Sequence, residues 1–168
     1  MSTLLSQAPA PVAEVTGDSA PVGDSTGAAM AACLQAWGAD AQIQTAARLL
    51  PQMMAQTLDL AEVESQHGPD IAGLCRDYVQ VMESRADAQW SGAPAAWQRT
   101  LGYIAAYRNP RLAFLVVAHL WQQVVTAPKT GTRQSQPTRE LARGALAPLL
   151  DMLGMRVPRI ELEELICE

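Results

Sequence analysis

Histidine suits metal binding and proton transfer near neutral pH, and the chain has two, His67 and His119. Two ligand atoms reach one face of a helix when their residues lie three or four positions apart, and neither histidine has a second His or a Cys at that spacing. The pattern predicts no transition-metal site and no cofactor. His67 precedes Gly68 and is expected to be solvated. His119 lies in an apolar segment, which favours a core histidine hydrogen-bonded to a neighbour over a functional one.

Paired carboxylates can act as an acid and a base in catalysis. Two acidic groups are candidates for such a pair: Glu62 with Glu64, and Glu161 with Glu163 and Glu164, of which Glu161 and Glu164 share a helix face. Their neighbours are polar residues of short helices, so we expect solvated surfaces instead of a catalytic pair. The sequence TGTR at 130–133 lacks the lysine and the helix start of a phosphate-binding loop, and the chain has no G-x-S-x-G motif.

The three cysteines, Cys33, Cys75 and Cys167, are odd in number and have no C-x-x-C spacing. This pattern predicts reduced thiols in the cytoplasm. The amino-terminal sequence MSTLLSQAP has no basic residues before its short apolar stretch, unlike a secretory signal. The most apolar segment, 112–121, is about half of the ~20 residues that a membrane span needs.

The 168 residues, 49% of them hydrophobic and 17% charged, predict one globular domain. Because the net charge is −5, no overall electrostatic field attracts nucleic acid or an anionic membrane. We therefore expect neither as a partner. Residues 1–28 are rich in Ala, Pro, Ser, Thr and Gly without an apolar face, and they predict a flexible tail before a domain at 29–168.

Apolar residues recur at helical spacing through the rest of the chain, and no segment alternates like a strand between turn signals. The fold class is therefore predicted to be all-α, a compact array of six to eight helices. The segment at 112–125 is apolar nearly all round and predicts a central buried helix. The other predicted helices cover 29–37, 40–58, 60–67, one from Pro69, one from Pro94, 138–154 and one from 158, with connections at 84–94 and 126–138.

Two carboxy-terminal stretches, APLLDMLGM at 147–155 and RIELEEL at 159–165, are similar to family motifs of the form A-P-L-A-x-R-L-G-I and K-x-E-L-E-D-L. Three earlier stretches resemble further segments of the same family in the same order: ADAQIQTAARLLPQ, SQHGPDIAGL and RLAFLVVAHLWQQV. Over about 31–165 the chain thus resembles the amino-terminal HD-type hydrolase domain of the RelA/SpoT family, bacterial enzymes that make and degrade (p)ppGpp.

The resemblance implies where a manganese-dependent hydrolase would hold its metal. The family's His-Asp pair falls on Leu50 and Pro51, its following Glu-Asp pair on Met54 and Ala55, and its later Asp on His119. The first histidine ligand has no counterpart, since no histidine precedes His67. These side chains do not suit a hard divalent cation, and without the metal no water is activated. The resemblance therefore implies a pseudoenzyme, closest in character to the synthesis-only RelA branch with its defunct hydrolase domain.

The resulting expectation is a catalytically inactive domain that acts through protein contacts in the stringent response, with a (p)ppGpp synthetase or a second copy as partner. It is expected to be either an independent regulator or a fragment of a GTP pyrophosphokinase that lacks the synthetase domain. One alternative is a metal-free guanine-nucleotide sensor in which Arg48 and Arg111 hold the phosphates. Another is an enzyme of unrelated chemistry around His119.

Overall fold

The computed structural model describes residues 22–87, 102, 104, 109–130 and 133–167. Within these residues the fold is all-α, as predicted, with one pair of two-residue strands. The elements are α1 (Val22–Ala36), α2 (Ala41–Met54), α3 (Leu60–His67), α4 (Pro69–Asp87), α5 (Pro110–Thr126), β1 (Lys129–Thr130), β2 (Arg133–Gln134), α6 (Gln136–Leu141), a π-helical turn (Ala142–Leu146), α7 (Ala147–Met152) and α8 (Arg156–Cys167).

The first helix begins at Val22, inside the segment predicted to be a tail. Its Gly27 packs directly on the backbone of Ala47 and Arg48 in α2. Since this contact is tertiary, the local composition of residues 22–28 does not reveal it. The rest of the predicted tail, at 1–21, lies outside the described residues.

The second helix is fixed at its start by Asp40, whose carboxylate accepts hydrogen bonds from the N–H groups of Gln42 and Ile43, each at 3.0 Å. These bonds satisfy two amides that have no partner within the helix. α2 ends at Met54, four residues before the predicted end, and continues through Pro51.

The third and fourth helices follow their sequence signals closely. α3 spans 60–67 as predicted, with Asp59 as its cap, and Pro69 begins α4 as predicted. The apolar stripe of α4 is buried and includes Ile71, Leu74 and Tyr78. The predicted connection at 84–94 is wrong at its start, because α4 continues to Asp87. Of the predicted helix from Pro94, the structure describes helical Gly102 and Ile104 only; Trp90 and Trp97 lie outside the described residues.

The fifth helix lies at the centre of the described fold, as predicted. It packs against α1, α2, α4, α6, the π-helical turn and α7. Its buried side chains occupy most of its circumference: Leu112, Ala113, Leu115, Val116, Val117, Ala118, Leu120 and Val124.

The carboxy-terminal region departs from the predicted loop at 126–138. β1 and β2 pair in antiparallel fashion there. Ser135 caps α6, which begins at Gln136, two residues before the predicted helix start. The π-helical turn follows, in which the N–H of Ala147 donates to the carbonyl of Ala142. The wider turn lies just before Pro148, whose ring would clash with the carbonyl four residues back in a regular α-helix. α8 then packs against α7 and β2.

Candidate functional site

Four of the positions at which the resemblance expects metal or catalytic groups lie at the end of α2. Leu50 is 2% exposed within the hydrophobic core, and Pro51 is half-buried. Met54 is 50% exposed, and Ala55 is the exposed residue that ends the helix. None of these side chains has an oxygen or an imidazole nitrogen. They do not fit a hard divalent cation, which prefers such donors.

The fifth position, His119, lies on α5 at the edge of the core and is half-buried. Its Nε2 lies 2.7 Å from the amide nitrogen of Gln123, one helical turn further on. Its ring packs on Tyr78 of α4 with 6.0 Å between the ring centroids. His119 therefore has the hydrogen-bonded neighbour that the sequence predicted. Its side chain is, however, less buried than that of a core residue.

The two arginines that would hold the phosphates in the nucleotide-sensor alternative have different surroundings. The Nε of Arg111 lies 3.2 Å from a carboxylate oxygen of Asp40, and its Nη1 donates to the side-chain oxygen of Gln42 at 2.7 Å. These bonds tie the first turn of α5 to the start of α2. Arg48 is exposed and lies two turns further along α2. The Asp40 carboxylate competes with a phosphate for Arg111, which weakens this alternative.

The remaining candidates are solvent-facing, as predicted. His67 is exposed at the end of α3, and the acidic groups at 62–64 and 161–164 have exposed carboxylates. Among the described residues, no three His, Cys, Asp or Glu side chains are grouped so that they could hold a metal ion.

The three cysteines are free thiols in different environments. Burial raises the pKa of the Cys75 thiol to about 11. Burial also raises the pKa of Cys33, against the smaller opposite effect of a hydrogen bond from Gln122. Both thiols are therefore protonated at neutral pH and are poor nucleophiles. Cys167 is exposed on α8.

The most distinctive surface, which the sequence analysis did not identify, surrounds the turn between α7 and α8. Met152, Val157 and Ile160 are each more than half exposed. Val157 lines a groove of about 590 Å³ whose walls also include Trp37, Phe114 and the 153–155 turn. A helical projection of 156–167 contains the signal, since Val157 and Ile160 project away from the apolar face of Leu162 and Ile166.

Comparisons with protein-family models, with curated proteins and with solved structures gave no match. The resemblance to the RelA/SpoT hydrolase domain therefore stays a prediction from the sequence motifs. Among the described residues, none of the helices has the length and apolarity that crossing a membrane requires.

Proposed function

We propose that this chain is a catalytically inactive, RelA/SpoT-type pseudo-hydrolase domain that acts in the cytoplasm and regulates (p)ppGpp metabolism by binding another protein. The observation that carries the proposal is the chemistry at the end of α2. Where the resemblance expects a His-Asp pair, Leu50 packs in the core and Pro51 follows it. An aliphatic core side chain supplies neither a metal ligand nor a general base.

The surface around the α7–α8 turn supports the part of the proposal that concerns protein binding. Exposed apolar side chains next to a groove are typical of protein–protein contacts, whereas isolated ones are ordinary. Met152, Val157 and Ile160 come from one short stretch of chain and border the same turn. This arrangement favours an interaction domain.

The inactive part of the proposal is tested by incubating the purified chain with ppGpp and manganese and measuring released pyrophosphate. A hydrolytic RelA/SpoT enzyme serves as the positive control. We expect no release above the rate without protein, because the α2 positions cannot hold the metal. Manganese-dependent release of pyrophosphate would refute the proposal.

The regulatory part is tested with a RelA/SpoT-family synthetase from the same cell. The rate of pyrophosphate transfer from ATP to GDP is measured with increasing amounts of the chain, and binding is followed by calorimetry. We expect the chain to bind the synthetase and to change its rate, whereas a heat-denatured sample does neither. A synthetase that neither binds the chain nor responds to it would contradict this role. Calorimetry with ppGpp alone tests the nucleotide-sensor alternative.

A further inference from the structure

The outward face of α8 has a basic side chain at its start, two apolar side chains in the middle and an acidic side chain after them. The inward face is buried through Pro158, Leu162 and Ile166. On the opposite side, Val157 is 66% exposed and Ile160 is 57% exposed. Arg156 precedes this apolar pair and Glu164 follows it, and both are exposed. We call these four residues, Arg156, Val157, Ile160 and Glu164, the α8 outer face.

The charges along α8 oppose its own dipole. Helix amino termini favour acidic side chains and carboxy termini favour basic ones. α8 has no acidic residue in its first turn and no basic residue in its last. Instead, Arg156 and Arg159 lie at the start, and Glu163 and Glu164 lie in the second half. This order lowers the stability of the isolated helix, and an antiparallel neighbouring helix would offset that loss.

Within one copy, only part of this charge is neutralised. Arg159 forms ion pairs with Asp151 at 3.3 Å and with Glu163 at 2.7 Å. In the part of the chain that the structure describes, no ion pair joins Arg156 or Glu164 to another side chain. The basic and the acidic end of the α8 outer face therefore both remain available.

We propose that the α8 outer face binds a second copy of this chain, with the two α8 helices antiparallel about a two-fold axis near Ile160. Arg156 and Glu164 each lie four residues, or about 6 Å along the helix, from Ile160. An antiparallel pair therefore places Arg156 of each copy opposite Glu164 of the other. The same arrangement opposes the two helix dipoles and buries Val157 and Ile160. The groove beside Val157, whose walls also include the charged Arg156 and Glu161, lies next to this interface.

Self-complementarity is what favours a second copy over a different protein. A two-fold interface uses the same patch twice, so the patch must carry both the group and its counterpart. The α8 outer face meets this condition within nine residues, from 156 to 164. A helix of 12 residues is about 18 Å long, which predicts a weak, salt-sensitive dimer.

The inference deepens the proposed function by naming a partner, and it is tested on the purified chain alone, without nucleotide or synthetase. Its failure is thus distinguishable from failure of the proposed function. Sedimentation equilibrium from about 1 µM to about 1 mM is expected to show a monomer–dimer equilibrium. Ile160→Ser should weaken dimerisation at least about tenfold, whereas Met54→Ser, which changes a similarly exposed apolar side chain on α2, should not. A chain that stays monomeric throughout would overturn the inference.

A charge exchange tests the pairing itself. Arg156→Glu and Glu164→Arg should each weaken the dimer, because each places like charges opposite one another. The double variant, Arg156→Glu with Glu164→Arg, should restore dimerisation to near the original level, since the charges are complementary again. Thermal unfolding of each variant checks that the monomer remains folded. A double variant as weak as the two single variants would refute the antiparallel pairing.

Cross-linking tests the position of the axis. Ile160→Cys in a Cys167→Ser background should form a disulfide-linked dimer on mild oxidation, because position 160 lies at the axis. In the unchanged chain, the two Cys167 residues would lie seven residues on either side of it, about 21 Å apart, beyond disulfide reach. A dimer linked through Cys167, or no link through position 160, would contradict the arrangement.

Discussion

At the scale of single residues, the turn after α2 places a residue with a Cβ atom in a backbone conformation that favours glycine. α1, α2 and α7 end with the same hydrogen-bonding pattern, in which an N–H donates to a carbonyl five residues back. The donors are Ala39, Thr57 and Met155, each at 2.9 Å. The residue before each donor has positive φ, and it is Gly38, Gln56 and Gly154, in that order. Gln56 thus adopts a left-handed backbone conformation. For any residue with a Cβ atom, this conformation lowers the stability of the folded state.

We predict that Gln56→Gly stabilises the protein by about 0.5–1 kcal/mol, because glycine adopts positive φ without the steric penalty. Gly154→Ala, at the equivalent place after α7, should destabilise it by about 1 kcal/mol; no atom crowds its added methyl, so the backbone strain acts alone. Urea unfolding measures both. A destabilised Gln56→Gly variant would show that the glutamine side chain contributes more than the strain costs.

The buried thiol of Cys75 makes stability depend on pH. The unfolded thiol releases its proton near pH 9.0, whereas burial keeps the folded thiol protonated up to about pH 11. Between these values the unfolded state binds fewer protons, so the free energy of unfolding falls as pH rises, by up to about 1.4 kcal/mol per pH unit. We predict that Cys75→Ala removes this contribution. Urea unfolding at pH 8, 9 and 10 checks it, and parallel slopes for the two proteins would refute it.

At the scale of elements, two helical glycines have opposite consequences. A Cβ atom added at Gly27 of α1 would lie 2.9 Å from the carbonyl oxygen of Arg48 and 3.0 Å from its Cα, both backbone atoms of α2. A Cβ atom at Gly144, in the π-helical turn, would meet no atom within 4 Å. The first glycine permits close helix packing, whereas the second has no such role.

We predict that Gly27→Ala destabilises the protein by about 1–2 kcal/mol, since the backbones of α1 and α2 must separate. Gly144→Ala should stabilise it by about 0.5–1 kcal/mol, because alanine loses less conformational entropy in a helix. Both exchanges add one methyl group, so each is the control for the other. Unfolding midpoints in urea give the comparison, and equal shifts of one sign would exclude this account of the α1–α2 contact.

At the scale of the whole molecule, the features that the sequence predicted are those with a local cause. The end of α3 was predicted correctly because Pro69 marks the start of the next helix, and the central position of α5 followed from apolar residues on nearly every side. The start of α1 was missed because it depends on Gly27 touching α2. The strand pair near 130 was missed because its loop composition gives no pairing signal.

The candidate functional surfaces, like the helices, were predicted where the cause is local and missed where it is tertiary. Solvation of the carboxylates was predicted from their polar neighbours and that of His67 from its place before Gly68, and the exposure of these residues confirms both predictions. The α8 outer face was missed because helical spacing gives two apolar sides to α8, and packing against α7 and β2 decides which side is buried. The hydrolase resemblance named Leu50 and Met54 together, yet the fold separates them into a core residue and an exposed one.

This separation leads to a prediction about restoring the His-Asp pair. Leu50→His with Pro51→Asp rebuilds the family's pair but puts an imidazole where a buried leucine fills the core. We expect the double variant to lose about 2–4 kcal/mol of stability, from lost packing and an unsatisfied polar group, and to bind no manganese. Met54→Ala, one turn away but exposed, should change stability by less than about 0.5 kcal/mol. Thermal melts with and without manganese provide the measurement, because a bound ion raises the melting temperature of the folded state. A melting temperature that rises with manganese in the double variant would mean that the end of α2 accommodates a metal once donor groups are supplied, and that the missing donors alone, without the apolar packing, explain the lack of a metal site.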